Sequence, residues 1–192
     1  MKFLLKSVVA GLISLFLGVG SALGLIFFPP MSLGVKNGAW TTNLKIGSAD
    51  AGMYLRAVIA RVALFALNKT ETIYYHADHD DEGESLRSGC DYRIEGRDLD
   101  ARWWSITLYG GDNFLIPNHE RRYSFNLKNV AREADGTYRI FISLSEKEGN
   151  WIPSGGRDQP LSLSLRCYNP APIVYEKPEE IELPRIIREG CR

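Results

Sequence analysis

The chain has 192 residues, with 23 Lys+Arg balanced by 23 Asp+Glu, and is 45% hydrophobic and 11% aromatic. That composition excludes a disordered or collagen-like chain. Zero net charge without a run of Lys or Arg excludes a nucleic-acid partner, whose affinity would come from neutralising phosphates, and the length suits one domain beside a membrane segment.

Residues 1–6 carry Lys2 and Lys6. Ser7 to Phe28 then runs for 22 residues without a charge, enough at 1.5 Å rise per residue to cross a hydrocarbon core of about 30 Å as a helix. Pro29-Pro30 would stop it. A cleaved signal peptide is the rival reading, with Gly20 and Ala22 as the small residues before a cut, but its apolar region should last only about 7–15 residues. We read a retained transmembrane helix over 7–28. Lys2 and Lys6 precede it and only Lys36 follows closely, so the positive-inside bias leaves the N-terminus cytoplasmic and the remaining chain outside. In a bacterium this is a single-pass inner-membrane protein with a periplasmic domain. Gly20 and Gly24, in register with Ser14 and Gly18, would let a second helix approach closely.

Residues 29–48 are rich in Gly, Asn, Ser and Thr without apolar periodicity and read as a linker. Ser48 is then a candidate N-cap. Met53, Ala57, Ala60, Leu64 and Leu67 recur at spacings of three and four, which predicts one packed amphipathic helix over Ala49 to Leu67.

Beyond it the period falls to two. Thr72–His76, Cys90–Glu95, Trp103–Tyr109, Arg122–Leu127, Tyr138–Leu144 and Leu161–Tyr168 are β-branched or aromatic runs separated by Gly, Asp, Asn and Pro. The turn signals Gly110-Gly111, Asp135-Gly136 and Gly155-Gly156 favour hairpins over crossovers. Residues 49–192 therefore read as one mainly β domain, an antiparallel β-sandwich. Alternation assigns Trp104, Ile106, Leu108, Leu161, Leu163, Leu165, Cys167, Ile140, Ile142 and Leu144 to the core. Trp103, Tyr109 and Tyr168 point the other way, and the second face also carries Arg93, Arg139, Ser143 and Arg166.

Cys90, Cys167 and Cys191 would meet an oxidising compartment, where one bridge can form in any of three pairings. Without a CxxC, a thiolate metal site is not expected.

The motifs ARWWSITLYGGDNFLIPN, RRYSF, DGTYRIFIS, NWIPSGG and LRCYNP, in that order, resemble the domain of unknown function 1214. Upstream, YLRA, ETIYYHADHDDEGESL and GCDYRI resemble the same family, so the likeness runs from Trp40 to Ile187. Cys167 departs from it, since that position in LRxYxP is usually aliphatic. The resemblance implies a jelly-roll-like sandwich. In larger relatives this domain is the C-terminal half of a two-domain protein whose other half is the domain of unknown function 1254. A short, membrane-anchored form would act beside a separately encoded partner carrying that half.

Three clusters are candidates for chemistry. His76, Asp78 and His79 lie in HADHDDEG, where imidazole and carboxylate would suit a divalent metal; no other cofactor is expected. Asp78, Asp80, Glu82 and Gly83 fit the start of a calcium loop, but Gly89 occupies the twelfth position where a bidentate Glu is needed. The alternative is an acidic turn with Gly83 at positive φ. Arg102, Arg122 and Arg166, beside Trp103, Tyr123 and Tyr168, would bind a small anionic ligand through guanidinium forks, or else pair across strands with acids such as Asp98, Asp100 or Glu133. His119 in PNHERR is a candidate base with no marked nucleophile, for no G-x-S-x-G elbow is present. Trp151 is a ligand platform or a plug at the end of the sandwich. The leading function is a membrane-held binding or assembly module. The other is an envelope enzyme, hydrolase-like and metal-assisted, using His76, His79 or His119 on a small anionic or amphiphilic substrate.

Overall fold

A computed structural model describes residues 2–28, 34–61 and 65–192. Pro29-Pro30 and Leu64 lie outside the described residues. Helix α1 (Lys2–Phe27) is continuous, and it is the one helix among the described residues long and apolar enough to cross a membrane.

The chain then forms two sheets. One contains, in spatial order, β1 (Val35–Asn37), β2 (Trp40–Thr42), β3 (Thr72–Ala77), β9 (Leu161–Pro170), β5 (Ala101–Gly110) and β6 (Ser124–Asn126). The other contains β10 (Arg185–Cys191), β4 (Cys90–Gly96), β7 (Tyr138–Ser143) and β8 (Asn150–Pro153). The inward residues of both sheets join in one buried cluster, including Tyr75, Trp104, Ile106, Leu163, Leu165 and Cys167 from the first and Tyr92, Ile94, Ile140 and Ile142 from the second. The protein is thus mainly β, a two-layer sandwich whose core contains the residues that period-two alternation marks out, Leu144 excepted, together with others such as Tyr75, Tyr92 and Ile94.

All six expected strands form, and four more appear beside them. Residues 35–42, read as part of a linker, make a hairpin whose second strand pairs with β3 through Thr41↔His76 and Thr42↔Tyr75. Trp40 fixes it, buried and donating its indole N–H to the Pro184 carbonyl at 2.6 Å. Every pairing is antiparallel except β7 with β8, which is parallel with Ile140 opposite Asn150. The Asn150 side-chain amide joins this edge to a neighbouring loop, donating to the carbonyls of Ala131 and Arg139. Leu144, expected in the core, is exposed just past the end of β7.

The helix expected over Ala49–Leu67 is shorter. Helix α2 spans Met53–Arg61, buries no residue and touches α1. A helix through all 19 positions would separate its ends by about 28 Å at 1.5 Å per residue. Instead Gly47, at φ +72, sits against Leu67, whose carbonyl oxygen would lie 2.1 Å from a β-carbon added there. Only glycine permits that approach. Ser48 caps no helix; its backbone carbonyl closes a turn with the Ala51 N–H. Helix α3 (Pro172–Glu176) follows β9, and its Val174 carbonyl accepts a hydrogen bond from the buried Tyr75 hydroxyl.

Candidate functional site

The acidic segment after β3 is a structural clamp. Gly83 takes positive φ, as the turn reading requires. The Asp80 carboxylate is buried, accepts from the backbone N–H groups of Glu82 and Glu84, and lies 2.9 Å from Arg188 Nε. Asp81 holds β10 twice, through its backbone N–H to the Ile186 carbonyl and through its carboxylate to the Ile186 N–H and Arg185. Next to it, Asp78 lies 2.6 Å from His79 Nδ1. His76 projects from the opposite face of β3 to the core residues Tyr75 and Ala77. Surrounding protein pushes its imidazole below the ordinary value, against the pull of Asp78. No group of three or more His, Cys, Asp or Glu side chains among the described residues is placed to hold a metal ion. His119 is exposed in a separate loop.

The same clamp accounts for the disulfide. Strand β10 pairs with β4 so that Cys191 faces Cys90, and these two form the bridge. Cys167 is free and wholly buried, and desolvation pushes its thiol up to about 12. It is an inert core residue.

One of the expected arginines, Arg166, meets aromatic side chains on the outer face of the six-stranded sheet, in a set that differs from the expected one. Register places Trp103 opposite Tyr168, Arg166 between Tyr74 and Ser105, and Ser164 between His76 and Thr107. Trp103 and Tyr168 meet edge to face with ring centroids 5.3 Å apart. The Arg166 side chain runs along the face to Tyr109, where Nη2 donates to the hydroxyl at 2.8 Å. Thr107 is nearly buried below, as is Ser105 beside Arg166.

Arg166 is half-buried, takes part in no ion pair among the described residues, and keeps a buried Nε without a hydrogen-bond partner. Two of the acids expected to neutralise it are committed elsewhere, Asp98 to Arg132 and Glu133 to Arg139, and Asp100 forms no ion pair with it. Arg102 and Arg122 do not join it. Arg102 shares strand parity with the buried Trp104 rather than with Trp103. Arg122 donates to the Trp151 carbonyl on the other sheet. Arg93 and Arg139 also belong to that other sheet and engage Glu95 and Glu189, and Glu133. Ser143 is buried and donates to the Ser145 carbonyl. Trp151 is a buried plug whose indole donates to Ser143.

Tyr74 and Tyr109, which frame Arg166, lie outside the ligand set that the sequence predicts, although alternation puts Tyr109 on that face. The shared face required the β3–β9–β5 register, which no single strand carries.

The molecule is therefore a β-sandwich domain behind an apolar helix, with a polar and aromatic outer sheet face. A family model described as "Protein of unknown function (DUF1214)" matches residues 71–172, more than half of the chain. The chain belongs to that family. Among solved structures it is similar to the VPA0106 protein from Vibrio parahaemolyticus, with 24% identity and a TM-score of 0.60 over 73% of this chain and 36% of that one. A putative uncharacterized protein from Burkholderia cenocepacia is similar at 19% identity and a TM-score of 0.43, over 64% of this chain and 30% of that one. The first likeness concerns the fold alone. The chain spans about a third of the length of these structures. No curated protein matches.

Proposed function

We propose that this protein is a membrane-tethered module of the bacterial envelope that binds an anionic group on the outer face of its six-stranded sheet. The observation that carries the reading is Arg166, a half-buried guanidinium with no carboxylate partner among the described residues and an unused Nε proton. Burying a charged donor without an acceptor is unfavourable, by roughly 1–3 kcal/mol or more, and a carboxylate or phosphate accepting from the guanidinium edge relieves it. Trp103, Tyr168, Tyr74 and Tyr109 would border such a ligand. The apolar helix α1 and the Cys90–Cys191 bridge support a domain held at the inner membrane and facing the periplasm. The resemblance to longer two-domain relatives supports a separately encoded partner carrying the companion domain of unknown function 1254.

One preparation tests both parts. Full-length protein purified in mild detergent and labelled with 15N-arginine should show a saturable shift of the Arg166 Nε–H resonance on addition of inorganic phosphate or acetate. Arg166→Gln should abolish binding with little loss of thermal stability, because no ion pair is lost and only the hydrogen bond to the Tyr109 hydroxyl goes, worth about 0.5–1.5 kcal/mol. A resonance that does not move in the wild-type protein contradicts the site. The partner proposal predicts a co-eluting chain with the companion domain, and elution alone contradicts it.

A further inference from the structure

We infer that α2 and Phe65–Leu67 lie in the headgroup layer of the membrane that α1 spans, seating the sandwich on the bilayer surface. This rests on the reading of α1 as a membrane helix.

The first observation is position. Helix α2 touches α1, and the Arg61 guanidinium sits over the Phe27 ring, 5.1 Å from its centroid. Phe27 is the last residue of α1, so whatever packs on it lies where the helix leaves the hydrocarbon. The second is exposure. Beyond α1 and Phe28, this stretch leaves four large apolar side chains open, Met53 at 78% exposed and Phe65 at 96%, with Tyr54 and Leu67, while Phe114, Leu115, Leu144 and Ile173 are exposed elsewhere. In water these side chains, and Phe28 at the end of α1, would be left without apolar partners. At the headgroup level it has a partner.

Chemistry agrees with place. An interfacial segment sets apolar and aromatic side chains toward the acyl boundary and basic ones toward phosphates. Lys45 and Arg61 would supply the latter, while Lys69 sits over the Tyr175 ring. Leu67 also ties the segment to the sandwich, its backbone N–H donating to the Tyr74 hydroxyl at 3.1 Å. The ends of the six-stranded sheet at Thr72, Ala101 and Pro170 therefore face the membrane, and the loop carrying Phe114 points away, since its carbonyl accepts from Gly110 at the opposite end of β5.

Nitroxide labels at Met53→Cys, Phe65→Cys, Phe114→Cys and Leu15→Cys, one at a time in the full chain in lipid nanodiscs, test this. Cys167 is buried and its thiol stays protonated, so each label is unique. Power saturation should show oxygen relaxing Met53 and Phe65 more than a water-soluble nickel chelate does, with the order reversed at Phe114. Should Leu15 report lipid while Met53 and Phe65 report water, the surface seat is overturned and the membrane helix stands. Should Leu15 itself report water, both are overturned.

Discussion

Replacing Cys90 and Cys191 together with serine should lower the unfolding free energy of the full-length protein by about 4–5 kcal/mol, because a bridge closing a loop on the order of 100 residues removes that much chain entropy from the unfolded state. The two cysteines are 101 positions apart and their bridge closes β10 onto β4. The loop includes seven of the ten strands, so the restraint acts on nearly the whole sandwich. Strand β10 keeps other attachments in the variant, through Asp81 to Ile186 and Arg185 and through Asp80 to Arg188. The fold should therefore persist with a lower midpoint rather than disappear. Urea unfolding followed by circular dichroism measures it, and an unchanged midpoint would contradict the role given to the bridge.

Trp104→Ala should cost about 3–5 kcal/mol, the usual range for removing a large aromatic from a packed core. Trp104 lies on β5 between β9 and β6, is fully buried, and stacks on Tyr138 of the other sheet with ring centroids 4.9 Å apart. It therefore joins the two layers. Its indole N–H donates to Asp98, but that carboxylate remains paired with Arg132 in the variant, so the loss is one of packing and not of an orphaned charge. Trp103→Ala, on the outer face, should cost clearly less. Equal losses at the two positions in the same unfolding experiment would mean that the assignment of faces is wrong.

That assignment shows what a sequence can and cannot tell. Alternation along a strand is a local signal, and it identified Trp104, Ile106, Leu163 and Ile142 as core without knowledge of any partner. It cannot say which sheet a strand joins. Arg93, Arg139 and Arg166 all have outward parity, yet two of them lie across the sandwich from the third. Strands β1, β2 and β8 are three or four residues long, too short for a period to register, and Pro153 further disguises β8. Strand β10 mixes two isoleucines with arginine and glutamate, so its pairing with β4, and hence the choice of Cys191 over Cys167 for the bridge, is a property of the assembled sheet. The HADHDDEG segment was ambiguous for a related reason. Its Asp80 and Asp81 carboxylates are spent on backbone N–H groups and on arginines of β10 more than 100 positions away.

The site was partly legible. Arg166, Trp103 and Tyr168 do share a face, because they lie on adjacent strands in matching register. Arg102 fell out by parity and Arg122 by its bond to Trp151. That Arg166 forms no ion pair among the described residues depends on where acids such as Asp98 and Glu133 end up in three dimensions, which spacing does not encode.

The central claim is that α1 remains in the membrane and holds the sandwich outside the cytosol. Its most direct test is a pair of full-length fusions after Arg192 in a bacterial host, one to a reporter active only in the periplasm and one to a reporter active only in the cytoplasm, each read in the membrane fraction. The account predicts membrane-bound periplasmic activity and a silent cytoplasmic reporter. Cytoplasmic activity, or a mature chain free of the membrane, would contradict it.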